Sequence, residues 1–128
     1  MAEQDDKACC ACGTAPKLIF ACSGAADVGH ISDLAARKLT QEGAGKMFCL
    51  AGIGGRVSGI METTKSAAGI LAIDGCPLDC ARKTLEEGGF KEFEHVRLSD
   101  MGIEKGKSPV SDELVEKVAS VGAERLVC

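Results

Sequence analysis

Three short apolar runs, each meeting a cysteine and each followed by a helical pattern, limit the fold more than any other feature of the sequence. Leu18-Ile19-Phe20-Ala21 leads into Cys22, Lys46-Met47-Phe48-Cys49-Leu50 contains Cys49, and Gly69-Ile70-Leu71-Ala72-Ile73-Asp74 leads into Gly75-Cys76. All three runs have the length and continuous apolar character of strands buried on both faces. After the first, Val28, Ile31, Leu34, Ala35 and Leu39 recur at helical spacing, with Arg37 and Lys38 in the last turn and Gly43 and Gly45 as a stop. After the second, Val57, Ile60, Met61 and Thr64 form a helical face. After the third, Pro77 suits the first position of a helix whose inner face is Leu78, Ala81 and Leu85 and whose end is Gly88-Gly89.

Phe90 to Leu98 reads as a weaker, more polar strand, as expected at a sheet edge. Residues 99–109 read as a loop. Ser111 then caps a final helix with Asp112 and Glu113 in its first turn and Leu114, Val115, Val118 and Val121 on its buried side. Residues 123–128 fit either the end of that helix or a short extra strand. The alternation of strand and helix, with right-handed crossovers, predicts an α/β fold. The expected form is a small doubly wound three-layer sandwich, with a mainly parallel four-stranded sheet in the order 2-1-3-4 and helices on both faces.

Length and composition narrow the function classes. The 128 residues fit one domain, and a 45% hydrophobic content supplies a core. Residues 1–15, polar and rich in cysteine, read as a flexible tail, and 16–128 as a single metal-binding domain. No apolar run is long enough to cross a membrane. The acidic start, Glu3-Gln4-Asp5-Asp6, does not resemble a secretory signal, so a cytoplasmic location is expected. Eight cysteines in such a compartment point to metal or thiol chemistry before disulfides. A net charge of −4, with four Phe as the only aromatics, disfavours nucleic-acid binding.

Cys22, Cys49 and Cys76 are equally spaced, 27 residues apart. The period alone is that of any strand–helix unit. The same residue type at the same phase is what a purely structural explanation leaves out. Each thiol falls where a parallel strand hands over to its helix, the edge at which open α/β sheets bind ligands. Cys80, four residues beyond Cys76 in the first turn of the third helix, supplies a fourth. Neighbouring helix N-termini lower thiol pKa values, and the thiolate is the metal ligand. A tetrahedral four-sulfur site selects Zn²⁺ or an iron–sulfur cluster, and zinc leads because neither iron–sulfur run spacing is present. A lone buried cysteine is a small hydrophobe, so the case rests on four thiols sharing one edge. The alternative is a thiol protein that moves electrons, sulfur or selenium through an activated Cys22 or Cys76. A closed four-sulfur site has no open position, which argues against hydrolytic catalysis.

Lys17–Gly29 (KLIFACSGAADVG), Lys46–Gly55 (KMFCLAGIGG) and Asp74–Cys80 (DGCPLDC) closely resemble the DGC-domain family, named for its Asp-Gly-Cys tripeptide and associated with zinc binding. The similarity runs from about Lys17 to Pro109, with the motifs in order. The resemblance implies that the family's motif cysteines correspond to Cys22, Cys49, Cys76 and Cys80. It leaves the biological process open.

Other features carry weaker signals. Cys9 and Cys12 form a C-x-x-C that resembles half of a zinc knuckle, a candidate second metal site, while Cys10 and Cys128 have no assigned role. Gly52-Ile53-Gly54-Gly55 lacks the fingerprints of nucleotide loops and reads as a tight turn near the metal. Arg56 beside it is either a contact for an anionic substrate or a solvated helix-start residue. A cysteine phosphatase needs Arg six residues after its nucleophile, and Val28 stands there. Asp74 and Asp79 flank the site as partners of the ligands or as caps, and the helix dipole alone accounts for Asp79. His30 lies near the first helix, where a surface or capping role is the simpler expectation. His95 is the other histidine.

Overall fold

The computed structural model describes residues 15–127. Strands β1 (Lys17–Ala21), β2 (Lys46–Met47), β3 (Gly69–Asp74) and β4 (Glu94–Arg97) alternate with helices α1 (Asp27–Gln41), α2 (Leu50–Gly54), α3 (Ser58–Lys65), α4 (Cys80–Glu87) and α5 (Asp112–Leu126). The strands form one sheet in the order β2-β1-β3-β4, and every pairing is parallel. The expected topology and strand order are therefore observed.

Side-chain alternation along β1 and β3 divides the core. Ile19, Ala21, Leu71 and Ile73 face α1 and α5, where Ile31, Leu39, Val118 and Leu126 are buried against them. Leu18, Phe20 and Ala72 face the other way, onto Ile53 of α2 and Ala81 and Leu85 of α4. Both faces of the sheet are thus covered. Burial of each large apolar side chain contributes about 1.5–3 kcal/mol, so the central strands anchor both layers. Among the described residues, no helix is long and apolar enough to cross a membrane.

The boundaries differ from the sequence reading at four places that matter for the site. First, β2 is two residues long. Phe48 N–H still donates to Ile19 O at 2.8 Å, but its ring packs edge-to-face on Phe20, with centroids 6.1 Å apart, and the chain leaves the sheet. Second, the Gly-rich stretch expected to be a turn forms α2. Its Gly52 is needed for helix contact, because a Cβ there would lie 2.7 Å from Ile60. Third, Arg56 adopts φ 58° and donates to Ile53 O at 2.7 Å and Glu87 O at 2.8 Å, tying the C-terminal ends of α2 and α4 together. It does not start a helix, since α3 begins at Ser58. Fourth, α4 begins at Cys80 rather than Pro77, and Leu78, expected on the inner face, is 60% exposed.

The final helix behaves as expected at its start, where Ser111 Oγ accepts from Leu114 N–H at 3.2 Å. Residues up to Leu126 continue the helix, which rules out a fifth strand there.

Candidate metal centre

The carboxyl ends of β1 and β3 define the site. Cys22 follows β1 directly, and its N–H extends the ladder by donating to Ile73 O at 2.9 Å. Its sulfur accepts from Gly75 N–H at 3.1 Å. That contact requires the end of β3 to lie hard against α1. A Cβ on Gly75 would stand 2.7 Å from the Val28 side chain, so only glycine fits. Cys76 comes next, half-buried, and Cys80 opens α4 with an exposed thiol.

These three cysteines share one cleft of about 210 Å³, bounded also by Gly24, Val28, Leu50, Leu78 and Lys105. Cys49, the residue before α2, is exposed and lines the adjoining cleft with Ser23, Phe48 and Thr84. Leu50 forms a wall of both clefts. Among the described residues, the group of three or more metal-ligating side chains whose ligand atoms all lie within 4.8 Å of one another is Asp74, Asp79 and His95, not a set of cysteines. The sulfurs are thus gathered at one edge without being drawn into a closed tetrahedron. Cys9, Cys10, Cys12 and Cys128 lie outside the described residues.

Helix N-termini were expected to lower the thiol pKa values. For Cys22 the shift is the reverse. Burial pushes its thiol up, more than the Gly75 N–H and the Ser32 hydroxyl pull it down, and the Asp74 carboxylate and Cys80 push the same way as burial. Cys22 therefore holds its proton more tightly than a solvent-exposed thiol does.

The aspartate of the Asp-Gly-Cys tripeptide has a definite task. Asp74 ends β3 fully buried, and its carboxylate accepts from Ala81 N–H at 2.7 Å and Arg82 N–H at 3.0 Å. It caps α4 from seven residues upstream. Asp79, expected to be explained by the helix dipole, precedes α4 in the left-handed conformation (φ 55°) and makes no capping bond. Arg97 grips it instead with a two-pronged fork, at 2.7 and 2.6 Å. That pair holds the Asp79 carboxyl below the usual carboxylate range. His95 Nε2 lies 2.8 Å from Asp74 and 3.8 Å from Asp79.

The Asp74–Asp79–His95 group does not suit a cation. Its carboxylate oxygens already serve two backbone N–H groups, His95 and the Arg97 fork, and the fixed guanidinium charge already balances Asp79. Sequence reasoning missed Arg97 altogether and gave His95 no task. The available signal was one acid and one base at matching strand ends, since Asp74 at the end of β3 pairs in register with Arg97 at the end of β4. His30 is exposed on α1 and does not line the cleft.

The Asp-Gly-Cys arrangement has a counterpart among known proteins: the profile of the DGC domain matches residues 18–121. The chain belongs to the DGC domain family. It is similar to the anaerobic and virulence modulator AnvM of Pseudomonas aeruginosa, with 35% identity over 88 residues, 69% of this chain and 67% of that protein. No solved structure matches the chain. The DGC profile spans all four cysteines at the sheet edge, together with the Asp74 cap and the Asp79–Arg97 pair.

Proposed function

We propose that this DGC domain binds one soft divalent cation, zinc first, through Cys22, Cys76 and Cys80, with Cys49 completing the set from the adjoining cleft. The observation that carries the reading is that three of the four motif cysteines line a single cleft at the ends of adjacent parallel strands. Four thiolates suit Zn²⁺, and each coordinating thiol gives its proton to solvent as the metal enters. The Gly75 N–H already directed at the Cys22 sulfur supports the thiolate form once it develops.

A cytoplasmic metal-handling or metal-sensing role follows better than catalysis. A site saturated by protein sulfur offers no place for a reacting water. The name of the relative, an anaerobic and virulence modulator, agrees with a regulatory role for a thiolate site.

Metal analysis of reduced protein purified without chelator tests the reading. One equivalent of zinc is expected in the native protein and none in Cys76→Ser. Undiminished metal in Cys76→Ser, or a native protein that takes up no zinc, overturns it.

A further inference from the structure

We propose that Arg97 and Asp79 form a latch that fixes the Cys76–Cys80 segment in the conformation that captures metal, which makes both of them positioning residues. The inference rests on the metal-binding reading above and adds residues outside the thiol set.

Asp79 lies directly before Cys80, and its N–H donates to Cys76 O at 3.1 Å. It is therefore the joint between the two thiol-bearing residues. Its left-handed backbone is one that L side chains rarely adopt. Helix capping cannot explain that conformation, because Asp74 does the capping and Asp79 makes no such bond. What holds Asp79 is Arg97, from β4, through both carboxylate oxygens. Arg82 adds a contact at 3.4 Å, and Asp100 braces the other side of the Arg97 guanidinium at 3.2 Å. Asp79 itself is 3% exposed, so the carboxylate end of the pair is shielded from water, while Arg97 is 24% exposed.

The latch thus couples a strand that carries no cysteine to the separation of two that do. Once the fork is lost, Asp79 relaxes toward a common backbone conformation and Cys80 turns away from the cleft that it shares with Cys76. Partners that orient metal ligands in this way typically carry about 10- to 100-fold of metal affinity.

Cadmium titration of the full-length reduced protein, followed by thiolate-to-metal charge-transfer absorption, tests the latch. Native protein, Arg97→Ala, Arg97→Lys, Asp79→Asn and Asp79→Gly are compared at a temperature where all are folded by circular dichroism. Arg97→Ala and Asp79→Asn are expected to weaken cadmium about 10- to 100-fold. Arg97→Lys keeps the charge without the fork and should recover little of that loss. Asp79→Gly and Asp79→Asn both accept the left-handed conformation, so the loss they share reads the fork itself rather than the backbone. Hydrogen exchange across residues 75–82 should quicken in the weak binders. Unchanged cadmium affinity in Arg97→Ala, even with a lowered melting temperature, overturns the latch and leaves the thiol site standing. A native protein that takes up no cadmium overturns the thiol site, and the latch with it.

Discussion

Two aspartates hold opposite flanks of the cysteine cleft by the same device, and they differ in burial. On one flank Asp74 reaches from β3 to the first turn of α4 and so fixes the helix that carries Cys80. On the other, Asp27 at the start of α1 accepts from Gly106 N–H at 2.9 Å and Ser108 N–H at 3.0 Å and so fixes the loop that brings Lys105 to the rim. Each carboxylate gathers backbone donors from a distant segment. Asp74 is fully buried, with His95 against it, whereas Asp27 is only partly covered. The thiol flank is thus built to stay in place, and the lysine flank is built where water can replace what the carboxylate supplies.

Asp74→Ala gives the largest effect. It strands Ala81 N–H, which lies in a fully buried residue, and removes the partner of His95. The expected loss is about 3 kcal/mol, read as a lower urea midpoint at unchanged slope. A loss below about 1 kcal/mol would show that α4 does not depend on this cap.

Gly75→Ala comes next. Its new Cβ meets Val28 at 2.7 Å, with the Val28 Cβ and carbonyl carbon just beyond, so either α1 or the end of β3 must shift. A cost of about 1–3 kcal/mol is expected. If the end of β3 is what shifts, the residue 75 N–H moves off the Cys22 sulfur, which loses one influence that lowers its pKa. Cys22 in the variant should therefore react more slowly with iodoacetamide at neutral pH. Faster labelling would mean that the shift uncovers the thiol rather than stripping its donor.

The same contrast explains what was legible in the sequence. Sheet order and the two-sided core follow from local pattern, because Leu18–Ala21 and Gly69–Asp74 are continuous apolar runs followed by helical spacing, and crossover handedness does the rest. The thiol edge was legible for the same reason: a residue at the end of a parallel strand has a known place. Local pattern did not show that Phe48 leaves the sheet to meet Phe20, that Gly52 serves contact with Ile60, or that Asp79 is turned left-handed. Each of those is decided by a residue from another element. The separation of Cys49 from the other three is one consequence, since β2 ends at Met47 and Cys49 lies beyond the sheet, in the adjoining cleft. The Arg97 fork was the hardest to foresee, because nothing near Asp79 in sequence announces it.

Asp27 sets the smallest effect, and a pH titration isolates it. The Gly106 and Ser108 N–H groups hold its carboxyl below the ordinary range, so the folded state favours the anion more than the unfolded chain does. The stabilisation is therefore complete above the unfolded value near 3.9 and is lost as pH falls through the lower folded value. The amide resonances of Gly106 and Ser108 should move together with a midpoint below about 3.9 and should stop titrating in Asp27→Asn, while Ala81 and Arg82 on the buried flank hold their shifts in that variant. Were the Gly106 midpoint at or above the ordinary value, or were Ala81 to move when Asp27 is replaced, the two flanks would not be separate anchors. With the anchor lost, Lys105 leaves the rim while the three thiols stay, so metal stoichiometry in Asp27→Asn should match the native protein even as the 104–108 loop exchanges faster with solvent.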